Sequence, residues 1–170
     1  MSFNKIIQTS AHKVNGKSVR YKQGDCFSID CENRHFLGAF VFEKFNKYYD
    51  LTLIEYYKNS QPDIADFVYG NFFGTRFGSW QNLTFAADKK MVECKYVDKN
   101  IRIQLVGNIK LVADLRNASY SYSNDVSELL EYYLSEISIR LEKLKTTKKF
   151  PDLAFVSQHL VSMKEITKLS

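Results

Sequence analysis

Histidines, cysteines and clustered carboxylates are what catalysis or metal binding would require, and this chain spreads them thinly. His12, His35 and His159 are far apart and fit neither H-x-x-x-H nor H-E-x-x-H spacing. Cys26, Cys31 and Cys94 form no C-x-x-C. The first two are five residues apart in a predicted strand, and an odd separation sends them to opposite faces. That placement favours buried free thiols in a reducing compartment over a disulfide or a shared metal. His35 with Cys26 or Cys31, on neighbouring predicted strands, is the one place where zinc ligands could gather. Gly70, Gly74 and Gly78 recur every fourth residue, but no Lys-Ser or Lys-Thr follows to hold a phosphate. G-x-S-x-G and G-x-G-x-x-G are both absent. The acids of the predicted C-terminal helix are spaced for solvent and the helix dipole rather than as an acid–base pair, and nothing in the sequence gathers Asp63 and Asp66 with Asp25. The expectation is a protein without catalysis, metal or cofactor.

Aromatic residues are the informative excess, with 11 Tyr, 13 Phe and 1 Trp. Tyr48-Tyr49 and Tyr56-Tyr57 each put one ring inward and its neighbour outward on a strand. Gly70–Trp80 adds Phe72, Phe73, Phe77, Trp80 and Arg76 among three glycines. Large rings with few rotatable bonds and a polar tip suit protein interfaces, so Tyr56, Tyr57, Phe73, Arg76, Phe77 and Trp80 are the candidate protein-binding residues. The competing reading makes the same rings core or barrel-corner packing.

Several elements would have to position these side chains. Gly24-Asp25 opens a predicted strand, Cys26–Cys31, with Phe27, Ile29 and Cys31 on a buried face. His35–Phe42 alternates two apolar sets, so both of its faces are expected to be covered. Asn46-Lys47 turns into Tyr48–Tyr57, which places Leu51, Leu53, Glu55 and Tyr57 on one face. Upstream, Asn15-Gly16 suits a hairpin. Ile64–Tyr69 reads as a short strand, Met91–Val97 and Ile101–Val106 as a hairpin, and Ile109–Leu115 as a last strand. The period then changes. Val126, Leu129, Leu130, Tyr133, Leu134, Ile137, Leu141 and Leu144 fall at helical spacing behind Asp125 and Glu128, which suit a capping box. A second helix is predicted over Asp152–Leu169 after Phe150-Pro151.

The chain has 170 residues, 45% of them apolar and only seven Gly and two Pro, which excludes disordered and collagenous classes. Its formal charge of +5 lies on residues 1–120, where 17 basic groups face 12 acidic ones; residues 121–170 balance at 7 and 7. A surplus so spread steers weakly towards an acidic partner and falls short of a dedicated nucleic-acid stripe. Met1–Ser10 shows no signal-peptide pattern, and no run suits a membrane span. A cytoplasmic protein with no membrane partner is therefore expected.

Tyr21-Lys22-Gln23-Gly24-Asp25-Cys26-Phe27-Ser28-Ile29, with Gly38 in the next strand, resembles the opening of the twenty-sixth immunity-protein family of bacterial polymorphic toxin systems. That opening looks like K-x-G-D-x-F-x-I-P followed by a glycine-containing aromatic strand; Asp30 stands here where proline is usual. Ribonuclease toxins of the PemK type begin similarly, but continue with an Arg-Pro pair where this chain has Arg34-His35-Phe36. The resemblance implies a non-catalytic protein whose partner is a cognate toxin that it neutralises.

Together these readings predict one α+β domain over 1–170, mainly β to residue 120 and helical from 125. A strongly bent antiparallel sheet or open β-barrel would be followed by two C-terminal helices, 125–146 and 152–168. Immunity-type toxin binding is the first functional reading. The alternatives are a basic barrel that binds or cleaves RNA through Lys44, Lys47, Arg76, Lys89, Lys90 and Arg102, and a phage or secretion-system assembly protein that self-associates by a tyrosine-rich edge.

Overall fold

The computed structural model describes residues 21–77, 84–111, 115–119, 122–123, 127–137 and 160–167. The Asn15-Gly16 hairpin and Trp80 lie outside the described residues, as do residues 138–159 and the Asp125 cap.

The chain enters the sheet at Gly24, whose φ of +86° lies in the left-handed region that glycine adopts without strain. Its N–H donates to Val41 O at 2.8 Å and its carbonyl accepts from Ile109 N at 2.9 Å. Asp25 fixes the same corner, because its carboxylate accepts from Lys22 N at 2.9 Å and from Asn108 Nδ2 at 2.8 Å. Strand β1 (Asp25–Asp30) then pairs antiparallel with β2 (Phe36–Phe45), and β2 with β3 (Tyr48–Lys58). Asn46, at φ 52°, turns the β2–β3 hairpin. Two register shifts between these strands mark bulges, which bend and twist the sheet.

Both faces are covered. Phe27, Ile29, Leu37, Ala39, Val41, Tyr49, Leu51 and Leu53 make one core cluster, and Cys26, Phe40, Phe42, Ile54 and Tyr56 start the other. β1, read as a strand with one buried face, buries the other as well: Ser28 is covered there, and Cys26 is the buried thiol expected. The two thiols do fall on opposite faces, Cys31 in the first cluster and Cys26 in the second.

Residues 64–69 form a helix, α1 (Ile64–Val68), in place of the predicted strand. Asp63 and Asp66 make a reciprocal capping box, and Ile64, Phe67 and Val68 fall at the i, i+3, i+4 spacing of a one-sided helix. Phe67 reaches the second core because Gly38 has no side chain there. A Cβ at Gly38 would lie 2.8 Å from Ile54 Cδ1 and 3.2 Å from Phe67 Cζ.

The predicted 91–106 hairpin is also replaced. β5 (Thr84–Asp88) and β6 (Lys90–Glu93) flank a break at Lys89, and β6 pairs with the first half of β3. The chain then turns into α2 (Cys94–Asp98), because Cys94 N donates to Lys47 O at 2.7 Å and Val97 drops into the first core. β7 (Ile103–Asn108) pairs with β1 instead. β4 (Asn71–Phe77) joins β3 to β5. The predicted last strand, 109–115, is displaced to β8 (Leu115–Ser119), which with β9 (Tyr122–Ser123) runs parallel to β5 and β6. The main path β7-β1-β2-β3-β4-β5-β8 is curled, unclosed and mostly antiparallel, with few helices.

The C-terminal part differs most. α3 (Ser127–Glu131) carries the expected Leu129 into the core, then widens into a π-helical turn, Tyr132–Ile137. Ser135 Oγ donates to Glu131 O at 2.6 Å, a back-bond that competes with the regular ladder. Residues 160–162 form a strand where a helix was predicted, and the helical part is reduced to a single turn. β10 (Leu160–Ser162) pairs with β4, and Met163–Glu165 forms one 3₁₀ turn capped by Ser162. Val161, Met163 and Ile166 thereby close the second core. Among the described residues no helix is long and apolar enough to cross a membrane.

Candidate functional site

The β2–β3 turn and α2 form the two walls of an open groove of about 1070 Å³. Asn46, Lys47 and Tyr48 line one wall. Glu93, Cys94, Lys95, Asp98 and Lys99 line the other. The walls are tied at three levels. Tyr48 is registered against Glu93, Lys47 O accepts from Cys94 N, and Tyr49 Oη donates to Asp98 Oδ1 at 2.6 Å. Tyr49 is itself fully buried and accepts from Tyr21 N at 2.9 Å, so the groove floor is anchored in the first core. Burial first, then the Asp98 hydrogen bond, pushes the Tyr49 phenol well above its ordinary range.

The groove carries both signs of charge. Lys47 lies over the Tyr48 ring, 5.6 Å from its centroid, and Lys95 over Tyr96 at 5.1 Å. Lys95 also lies 3.4 Å from Glu93, whose carboxylate holds the exposed ammonium's pKa up. Phe45, next to the turn, is 60% exposed. Ammonium groups, carboxylates and aromatic rings thus share one surface frame.

The sequence-predicted contact residues are placed elsewhere. Tyr56 is a correction: it is buried in the second core, with its hydroxyl donating to Ser60 O at 2.6 Å. Phe73 is a second, being only 2% exposed in the first core. Tyr57, half-buried on the face opposite Tyr56, stacks on His35 at 4.5 Å and meets Tyr133 at 5.7 Å. Tyr133 in turn makes an edge contact with Phe73 at 5.6 Å. Two of the six residues are thus joined through an unpredicted third ring. Arg76 and Phe77 have their backbones in β4 opposite Phe85 and Thr84, while their side chains, like Trp80, lie outside the described set.

The basic residues of the RNA reading also divide. Lys89 is buried against Asp50, and Lys90 lies over Tyr132 at 4.5 Å. Arg102 donates to Asp30 O and Ser127 Oγ, both at 2.8 Å. Lys44 and Lys47 alone among the described members share the hairpin tip, where Lys44 Nζ donates to Asn46 O at 3.0 Å. Sequence reasoning missed Lys95 and Lys99, because a strand was read through Lys95 and a hairpin turn at Lys99. Their i, i+4 spacing was the available signal.

Among the described residues no three His, Cys, Asp or Glu side chains gather as metal ligands. Burial pushes the Cys31 thiol up to about 11 and Cys26 further still, so neither is a ready nucleophile. Burial likewise pushes Tyr133 up to about 12. These raised values fix the sign of the alkaline response. Above the ordinary thiol value of 9.0 the unfolded chain releases protons that the folded chain keeps. The stability these groups contribute is therefore full below about pH 9 and is lost as pH rises beyond it. Urea midpoints at pH 8 and pH 10 check this: a lower midpoint at pH 10 is expected, and equal midpoints contradict it.

No family model, curated protein or solved structure matches this chain.

Proposed function

We propose that this protein is a non-catalytic, cytoplasmic binder of the immunity type, which neutralises a cognate bacterial toxin by occupying its surface. The observation that carries the reading is the groove between the β2–β3 turn and α2. Its walls are preformed by Tyr49–Asp98 and Cys94–Lys47 hydrogen bonds, and its exposed rim presents ammonium groups beside aromatic rings. A preformed surface binds without the entropy cost of ordering itself. The Gly24-Asp25 corner adds support, because the residues that resemble the immunity family build the tight strand entry their types suggest.

Capture from the native host through a high-salt wash tests the reading, followed by co-expression of any captured protein. One stoichiometric protein is expected, toxic when expressed alone and harmless beside this chain. RNA released by salt, with no protein retained, would instead favour the RNA-binding reading.

A further inference from the structure

We infer that the groove between the β2–β3 turn and α2 docks an acidic polypeptide segment of the partner, one that offers carboxylates to Lys47 and Lys99 and N–H or O–H donors to the acidic wall. The inference rests on the binder reading above and names its site and partner chemistry.

Charge complementarity carries it. Lys47 and Lys99 are both exposed, and neither has a carboxylate within ion-pair distance among the described residues. The groove's own acids are already engaged, Glu93 by Lys95 and Asp98 by the Tyr49 hydroxyl. Two exposed lysines, one on each wall, are therefore without an ion-pair partner among the lining residues. Glu93, half-buried on that wall, keeps acceptor capacity beyond its contact with Lys95, since a carboxylate has about four lone-pair sites.

A polypeptide suits this lining better than RNA does. A phosphodiester backbone offers acceptors and negative charge, which Glu93 and Asp98 would repel; a peptide alternates carboxylates with amide N–H donors. The one aromatic ring of the lining, Tyr48, carries the Lys47 ammonium, so that face is not an open platform for a stacked base. The frame is rigid where it matters: Lys47 O holds Cys94 N, and the Tyr49 hydroxyl spans from the core to α2.

The test titrates the full-length protein with a fluorescein-labelled Glu-Ser-Gly repeat peptide and, separately, with an oligouridylate. Amide shift changes confined to residues 45–48 and 93–99, and about tenfold weaker peptide binding by the double variant Lys47→Glu/Lys99→Glu, are expected. Lys58→Glu, an exposed lysine at the far end of β3, should bind the peptide as the wild type does. Peptide shifts elsewhere, no loss in the double variant, or tighter oligouridylate binding at the same residues would each overturn the assignment. Because Lys47 and Lys99 are exposed, the double variant should unfold at the wild-type urea midpoint; shift mapping on the wild type stands whether or not it does. The two readings fail separately. A captured toxin that stays bound to and neutralised by the double variant removes the groove and leaves the immunity reading. Peptide binding in the groove without any captured toxin does the reverse.

Discussion

Asp50→Ala should destabilise the protein by about 3–5 kcal/mol, the cost of leaving a buried charge without its partner. Asp50 and Lys89 are each 4% exposed at their side chains and form a direct ion pair. Lys89 sits at the break between β5 and β6, with its ammonium 5.6 Å from the Phe42 ring centroid. Removing the carboxylate takes its direct ion-pair partner from an ammonium buried beside the second core. The pair is nevertheless imperfect, because the buried Asp50 Oδ1 and Thr52 Oγ1 have no hydrogen-bond partner. Replacing both charges, as Asp50→Leu with Lys89→Met, should therefore cost less than either single change. Urea unfolding of Asp50→Leu, Lys89→Met and their combination measures this as a cycle. A single-variant loss below about 1 kcal/mol would place the pair in an effectively wet environment.

Gly24→Ala should cost about 2–5 kcal/mol, from left-handed strain together with overpacking. At φ +86° a Cβ would stand 1.9 Å from the Ile109 carbonyl oxygen. That oxygen belongs to backbone beside the end of β7, so relief requires the β1–β7 junction to open and Ile109 to leave its bond with Gly24. Gly38→Ala supplies the contrast. Its Cβ would approach side-chain atoms of Ile54 at 2.8 Å, and a side chain can shift where backbone cannot. Equal unfolding midpoints for the two variants would contradict this account.

The first three strands were legible because alternation is a local property. Leu37, Ala39 and Val41 against Phe40 and Phe42 announce a strand covered on both faces, and the two clusters take up those two sets. Gly24-Asp25 and Asn46-Lys47 were legible for the same reason, since a turn is decided by the φ values its own residues tolerate. The 64–69 segment was misread although its signal was present, because Asp63 and Asp66 cap a helix of only five residues whose apolar content also suits a strand.

The candidate site was not legible in the same way. Tyr56 and Tyr57 were correctly sent to opposite faces, but which face is covered depends on what arrives from elsewhere in the chain. α1, β10 and the 3₁₀ turn bury the Tyr56 side, while Tyr133 and His35 partly cover Tyr57. The groove joins residues 46–48 to residues 93–99, and no local pattern encodes that distance.

By itself the sequence determined the β1–β2–β3 meander, its turns, the separation of Cys26 from Cys31 and the modest basic excess, all set by neighbours a few residues apart. Only the tertiary structure decided that β7 pairs with β1, that 160–162 joins β4 as a strand, and that Lys89 is buried while Lys47 and Lys99 face outward. The physical reason is one of range. Alternation and capping are energies between near neighbours, whereas strand pairing and burial come from competition among distant segments for the same two faces of the sheet.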